Sequence, residues 1–463
     1  MKNLSPLNKP LAHFIGVGGI GISALAQWFL AQNWAISGSD IAPSDLLRKL
    51  QKKGLKLKIG HKKANISPKT ALVVYNQAIT PENPELRGAR RRDIPAFTYP
   101  QMLGALTKAY KTIAVAGAHG KSTTTALTSL VLMKTGLDPT VIVGTRLKEF
   151  GNSNFRNGKS DYLTLEADEW KASFHNYSPT YAVITNIDRE HLDVYKNLAN
   201  VKKSFLKFIG NIKSGGILIA NRDDKNLHSL KSKIQKIAKR KNFKVIWYGA
   251  IINYSAYHKI KRVLKIPGQH NVSNALAVFT LARALGIKEQ IILKALGSYR
   301  GAWRRMEFRG YLSPTTYHLQ PKIPVYDDYA HHPTEIKATL QAFREKFPKK
   351  KIICVFQPHQ AHRTQNLFKD FISAFDSADY LFLLPIYQVA GRDKPHRGYT
   401  SADLAKRISQ RAKTLKVFYL NNPKIIRTKI KELLKPITYN LSPIVVMMGA
   451  GDIVNYTDSL LKK

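Results

Sequence analysis

The stretch VAGAHGKSTTT, residues 115–125, follows a short apolar run, TIAVAG, and leads into a helical pattern, TTTALTSLVLMKTG, that reaches Gly136. Strand, glycine-bearing loop and helix in that order are the arrangement of a phosphate-binding loop. The general spacing is G-x-x-x-x-G-K-[ST]. It would place a glycine at 115, where this chain has Val115; the nearest upstream glycine is Gly117, three before Gly120. The shorter loop keeps its working parts. Backbone N–H groups from Gly117, Ala118, His119 and Gly120 to Ser122 and Thr123 can cradle phosphate at a helix start. Lys121 is placed to reach β- and γ-phosphate oxygens, and the Ser122 hydroxyl suits Mg²⁺. The plain alternative is a glycine turn carrying a solvated lysine.

Two downstream segments favour the nucleotide reading. YLTLEADEW reads as a strand ending in Glu166, Asp168 and Glu169. YAVITNIDREHLDVY reads as a strand ending at Asn186, with Asp188, Glu190, His191 and Asp193 beyond it. Open α/β sheets take ligands at the carboxyl ends of their strands. Three strand ends thus bring a lysine, a hydroxyl, carboxylates and an imidazole to one edge, as a Mg-nucleotide site requires.

Upstream, AHFIGVGGIGISALAQWFL runs a strand into Gly16-x-Gly18-x-x-Gly21 and then a helix. This is the dinucleotide-type fingerprint in its proper context, a signal for a bound diphosphate that does not identify the nucleotide. WAISGSD gives a second strand ending at Asp40, an acid able to meet a ribose hydroxyl. LKLKIGH, ALVVYNQAI and IPAFTYPQMLGALT continue as βα units.

Downstream, IPGQHNVSNALAVFTLARALGI is a turn and a helix, with Asn271 and Asn274 on one face. SYRGAWRRMEFRG supplies Arg300, Arg304, Arg305 and Arg309, suited to phosphate or carboxylate. PVYDDYAHHPTEIKATLQAFREKF crowds Asp327, Asp328, His331 and His332 between a strand and an amphipathic helix. KIICVFQPHQAHRTQNLFKDF repeats the plan with His359, His362 and Arg363. ADYLFLLPIYQVAGRD and PIVVMMGAGDI are further strands with glycine-bearing ends. The fold class expected is α/β: a Rossmann-like N-terminal domain, a central P-loop domain with a mainly parallel sheet, and a Rossmann-like C-terminal domain.

A chain of 463 residues is too long for one ordinary core. Its hydrophobic fraction of 44% argues against extended disorder. The net charge of +44, from 74 basic and 30 acidic residues, supports affinity for polyanions. There is no long basic tail, recognition helix or aromatic platform, so a general surface bias is preferred to a nucleic-acid partner. The one cysteine, Cys354, lies in the apolar run KIICVF and reads as a core thiol. No Cys/His metal spacing, signal-peptide core or 18-residue apolar run is present, so a cytoplasmic protein without membrane insertion is expected.

Taken in order, HFIGVGGIGISALA with SGSD, AGAHGKSTTT, EADE, TNIDREHLD, GQHNVSNALA, AWRRMEF, DDYAHHPTEI and QPHQAHRT resemble the Mur ligase family of peptidoglycan synthesis, from about His13 to Asp452. That family's ATP loop has the short form G-x-x-G-K-[ST]. Within the family, the chain looks most like the members that join L-alanine to UDP-N-acetylmuramate. The resemblance implies three domains, at 1–108, 109–309 and 310–463, with ATP and Mg²⁺ as cofactors and a monomeric or homodimeric state. It implies that Gly18, Gly19, Ile20 and Gly21 face the UDP diphosphate and that Ser39 and Asp40 meet the uridine region. Lys121 would bind the γ-phosphate, Ser122 and Glu166 one Mg²⁺, and His191 a second. Asn271, Asn274 and Arg305 would contact the nucleotide, and Asp328 the ATP ribose. His331, His332, His359 and Arg363 would line the cleft for the substrate carboxylate and incoming amine.

The chain departs from the family pattern at Ser122 (mostly Thr), at Asn76 (in a serine's place), at Trp170-Lys171 (often Ser-Asp) and at Gln360 (usually arginine). Two other readings stand beside this one. A recycling ligase of the same family would add a murein tripeptide to the same sugar nucleotide. An NAD-dependent oxidoreductase would account for GVGGIG and Asp40 but leaves Lys121, Glu166 and His191 unexplained.

Overall fold

A computed structural model describes residues 9–312, 322–388, 399–434 and 443–461. Its described residues form three sheets, one to each domain of an α/β chain.

The first sheet runs through β1 (Leu11–Ile15), β2 (Ala35–Asp40), β3 (Lys56–Ile59), β4 (Thr70–Tyr75) and β5 (Ala96–Thr98), in the order β3-β2-β1-β4-β5. Every pairing in it is parallel. This is the doubly wound pattern, which reverses direction beside β1.

The second sheet comprises β6 (Lys111–Ala116), β7 (Thr140–Leu147), β8 (Ser153–Arg156), β9 (Tyr162–Glu166), β10 (Tyr181–Ile184), β11 (Ile217–Asn221) and β12 (Lys244–Tyr248). Its order is β12-β11-β10-β6-β9-β7-β8, parallel except where β8 turns back on β7. β6 is central, and Ile113–Ala116 are wholly buried because helices cover both faces. The flanking strands β9 and β10 end beside the loop that leaves β6, as the sequence pattern predicts.

The third sheet comprises β13 (Glu307–Leu312), β14 (Ile323–Asp328), β15 (Ile352–Phe356), β16 (Tyr380–Leu383), β17 (Lys416–Tyr419) and β18 (Ile444–Met448), ordered β13-β14-β18-β15-β16-β17. β13 is antiparallel to β14 and the other pairings are parallel. Alternation along β15 fills two cores: Ile352, Cys354 and Phe356 face one, Ile353 and Val355 the other. Each fully buried aliphatic or aromatic side chain there contributes about 2 kcal/mol. Burial also pushes the Cys354 thiol up, so it stays protonated and inert, the core role expected of it. The glycine-bearing end of ADYLFLLPIYQVAGRD lies outside the described residues.

The chain packs into two compact units. The first holds the N-terminal and central sheets, from Met1–Arg189, Leu198–Val263 and Asn274–Gly297. The second holds the third sheet together with Glu190–Asn197 and Leu264–Ser273. Among the described residues, no helix is long and apolar enough to cross a membrane.

Candidate active site

In the first unit, the loop leaving β6 turns through Gly117 (φ 144°) and Gly120 (φ 82°), where a side chain would be strained. Gly120 is the N-cap of helix Lys121–Lys134, which has no side-chain cap and no acid in its first turn. Its first N–H groups therefore meet no capping group, the condition for an anion site. The loop is held from behind by the end of β10. Asn186 Oδ1 accepts from His119 N at 2.9 Å, and Asn186 Nδ2 donates to His119 O at 2.9 Å. Thr185 Oγ1 donates to His119 O at 2.6 Å. The His119 ring lies 2.9 Å from Asp188 Oδ2. Asn274 lies over Gly120 so closely that any side chain at 120 would collide with its amide.

Lys121 Nζ donates to Gly117 O at 2.6 Å and to Glu169 Oε2 at 2.9 Å, beneath the loop. Glu169 is 1% exposed. Burial alone would lower the ammonium's pKa, but the carboxylates of Glu169, Asp168 and Glu166 outweigh it and hold Lys121 above the usual lysine range. Lys121 is thus always charged. The sequence named Glu166, Asp168 and Glu169 at this strand end but gave a role only to Glu166; Glu169 is Lys121's ion-pair partner. Glu166 is held differently, its Oε1 accepting from Gly144 N at 2.6 Å on the neighbouring strand β7.

Three carboxylates act on one lysine at this edge, with the buried Ser122 hydroxyl at the helix start. Excess negative charge and hard oxygen donors fit Mg²⁺. Ser122 and Glu166 offer a hydroxyl and a carboxylate that could hold it.

The glycine loop after β1 is built on β2. Gly16 N and Val17 N donate to Ser39 O at 2.8 and 3.1 Å, and Gly18 N donates to Asp40 Oδ2 at 2.8 Å. Helix Ile20–Ala31 begins at Gly19 and also lacks a side-chain cap. Two expectations change here. Ser39 is fully buried, and its hydroxyl donates to Glu85 Oε2 at 2.6 Å within a cluster that includes His13 and His61. Its hydroxyl is thereby engaged in supporting the strand end. Asp40 orients the loop by holding Gly18, so that amide is not directed at a diphosphate.

Two residues that motif reading did not find also border this loop. The Tyr99 ring packs against Gly21, and its phenol is pushed up by burial and by Glu166 and Asp168. Asn154, on β8, donates to Ile20 O and to Ser23 Oγ and accepts from Gln27 Nε2, tying the glycine-loop helix to the central sheet. Both are long-range neighbours, so no local spacing could have revealed them.

In the second unit, Glu190 and Arg363 form a buried ion pair at 3.0 Å. Burial opposes the Glu190 charge, yet Arg363 and the neighbouring histidines hold its carboxyl well below the usual range. Arg363 also donates to His359 O at 3.2 Å. His359 stacks on Tyr387 at 5.5 Å, and His331 meets His359 edge-on at 5.9 Å. Burial, His331 and Arg363 push His359 down to about 2, so it is a neutral wall at working pH and not a proton carrier. His191 adopts a left-handed backbone (φ 53°), a strained setting for a non-glycine residue, at the start of helix Leu192–Tyr195.

Several predicted ligand residues of this unit also hold its backbone together. His332, 2% exposed, is the N-cap of helix Pro333–Lys346, its Nδ1 accepting from Thr334 N in a capping box with Glu335. Asp328, 4% exposed, accepts from Met306 N at 2.8 Å, Ala330 N at 2.9 Å and Thr339 Oγ1 at 3.3 Å. Burial raises its pKa despite Arg305. Asn271, inside helix Gln269–Ala284, donates to Pro267 O at 2.7 Å. Arg304 donates to the carbonyls of Gly449 and Gly451, and Arg309 pairs with Asp327 and Asp458. Arg305 is half-buried, its guanidinium 5.1 Å from the centre of the Tyr329 ring.

Against known proteins, three family models match in sequence order. They are Mur ligase family, catalytic domain, over residues 11–111; Mur ligase middle domain, over 115–282; and Mur ligase, glutamate ligase domain, over 304–451. UDP-N-acetylmuramate–L-alanine ligase of Aquifex aeolicus is 37% identical over 473 aligned residues, 97% of each chain. The crystal structure of UDP-N-acetylmuramate-alanine ligase MurC from Thermotoga maritima is similar with a TM-score of 0.74 at 25% identity, covering 97% of this chain and 98% of that one. A murein peptide ligase from Psychrobacter arcticus shares the fold, with a TM-score of 0.67 at 21% identity and the same coverage.

Proposed function

The chain belongs to the Mur ligase family, and on that premise we propose that it joins L-alanine to the lactyl carboxylate of UDP-N-acetylmuramate, converting ATP to ADP and phosphate. The observation that carries this reading is the end-to-end similarity to the Aquifex aeolicus ligase, 97% of each chain. Such an extent leaves no room for an oxidoreductase reading of the glycine fingerprint. The reaction is the first amino-acid addition in peptidoglycan precursor synthesis, and its place is the cytoplasm, where ATP is available.

The lactyl carboxylate oxygen attacks the γ-phosphorus of ATP, and ADP leaves with the bridging oxygen. The alanine amine then attacks the acyl carbon, and the carbon–oxygen bond to phosphate breaks. Lys121 supplies a fixed positive charge for the γ-phosphate, exchanging its loop carbonyl and Glu169 contacts for phosphate oxygens. Uncapped N–H groups at the start of helix Lys121–Lys134 hold the neighbouring phosphates. Ser122 and Glu166 would hold one Mg²⁺ and His191 a second, and the metal would supply positive charge against the phosphoryl oxygens. Asn274 of the first unit and Arg305 of the second would each contact the nucleotide, and Asp328 and Asn271 brace the backbone of the second unit. Gly19, Ile20 and Gly21 seat the diphosphate of the sugar nucleotide, on a loop whose Gly18 amide is fixed by Asp40. His331, His359 and Arg363 form the wall for the amine substrate.

The test is phosphate release from ATP and Mg²⁺ with UDP-N-acetylmuramate, across L-alanine, glycine, L-serine, the tripeptide L-Ala-γ-D-Glu-diaminopimelate and no amine. Release that needs both the sugar nucleotide and L-alanine supports the proposal. Release with the tripeptide alone reassigns the chain to peptide recycling.

A further inference from the structure

The first sheet reverses direction between β1 and β4. The crevice outside the carboxyl ends at such a point is where open α/β sheets take ligands. Here it is bordered by the Gly16–Gly21 loop after β1 and by Asn76 and Gln77 after β4. Asn76 lies against the glycine loop: its Nδ2 is 2.6 Å from where a side chain on Gly19 would begin. Gln77, the next residue, is gripped by the turn that follows β9. Ser173 Oγ donates to Gln77 Oε1 at 2.7 Å, and Lys171 Nζ donates to Gln77 O at 3.2 Å.

That turn is built against steric preference. Lys171 (φ 47°) and Ala172 (φ 55°) are consecutive left-handed residues, and neither is glycine. Such conformations persist where the surroundings impose them, and they concentrate at functional sites. The surroundings are visible. Asp168 Oδ1 accepts from Trp170 N at 3.0 Å, Asp168 O accepts from Phe174 N at 3.0 Å, and Ser173 Oγ also reaches Trp170 O at 2.7 Å. The ammonium of Lys171 rests 4.8 Å from the centre of the Trp170 ring. Lys171 is exposed, and among the described residues it makes this one hydrogen bond and no ion pair. An ammonium carries three donors. A cation is thus fixed beside the glycine loop with donors remaining.

We propose that Lys171 is a further substrate-binding residue, its ammonium recognising an anionic oxygen of the sugar nucleotide seated at the β1/β4 crevice. This rests on the activity proposed above. The oxygen belongs to the diphosphate or to the lactyl carboxylate, and binding measurements separate the two. UDP, UDP-N-acetylglucosamine and UDP-N-acetylmuramate are titrated by calorimetry into the wild-type chain, Lys171→Met and Lys171→Arg, with ATP as a control ligand. Losing one charge-assisted contact at an exposed site weakens binding about tenfold.

Weakening of all three UDP ligands by Lys171→Met, with ATP unchanged and Lys171→Arg largely restored, supports recognition of the diphosphate. Weakening of UDP-N-acetylmuramate alone supports the carboxylate. Three unchanged affinities overturn the proposal, as does a loss that extends equally to ATP, which would mark a structural role. A wild-type chain that binds none of the three UDP ligands refutes the activity itself, an outcome distinct from a silent Lys171→Met.

Discussion

Two helix starts in this protein look alike in sequence and do opposite things. Helix Lys121–Lys134 follows GAHG and helix Pro333–Lys346 follows DDYAHH, each a loop after a buried strand. At the first, Gly120 offers no capping side chain, and the loop is braced from outside by Asn186 and Thr185. At the second, His332 and Glu335 close the helix end with a capping box, and Asp328 ties down the preceding turn. An uncapped helix end is ready for an anion, and a capped one is already satisfied. Polar residues at strand ends are therefore not interchangeable signs of a ligand. What matters is whether they brace the backbone or are braced by it.

The largest effect is expected at Lys121. Lys121→Ala should lower turnover about a thousandfold, the scale for removing a fixed charge from a phosphoryl-transfer site. Calorimetric binding of UDP-N-acetylmuramate should remain within about twofold; equal loss of both would deny separate sites. Asp328 should behave in the opposite way. Asp328→Ala leaves Met306 N and Ala330 N without their acceptor, and should cost about 3 kcal/mol of stability in denaturant unfolding. Unchanged stability with lost ATP affinity would return Asp328 to the ligand.

A third check uses pH. Asp327 is pushed up from 3.8 to about 6 by burial, which Thr457 and Arg309 only partly offset. The native state then keeps a proton that the unfolded chain releases. That contribution is full below the unfolded value and is lost as pH climbs through about 6, a change of up to about 3 kcal/mol. Asp327→Asn should flatten this part of the pH–stability curve; an unaltered slope would mean that the carboxyl is not desolvated.

The smallest effect separates the two roles of His332. His332→Ala should lose about 1 kcal/mol of capping, and His332→Asn, a good cap, should restore it together with activity. Asparagine that restores stability but not turnover would show that the imidazole takes part in the reaction.

Much of this was legible in the sequence. The glycine loops, the apolar strands before them and the acids after β9 and β10 are local patterns, and local patterns fix which strand end carries which residue. The limits have equally physical causes. Glu166 and Glu169 lie three residues apart, and only the turn between them decides which meets Lys121. Ser39 looks like Asp40's equal in SGSD, yet strand alternation turns one into the core and leaves the other at the rim. Asn154 and Tyr99 reach the glycine loop from other parts of the fold, at separations of 134 residues in one case, where no motif extends. Arg304, Arg305 and Arg309 share a motif and a charge, but tertiary partners give each different surroundings: backbone carbonyls, an aromatic ring and carboxylates.

Activation of the carboxylate leaves a trace in oxygen transfer. UDP-N-acetylmuramate labelled with ¹⁸O in the lactyl carboxylate is turned over with ATP, Mg²⁺ and L-alanine, and the released phosphate is weighed by mass spectrometry. The account predicts that phosphate carries one oxygen from the labelled carboxylate and that its release depends on L-alanine. Phosphate free of label would mean that water, and not the sugar's carboxylate, attacks ATP, and would contradict the ligase mechanism.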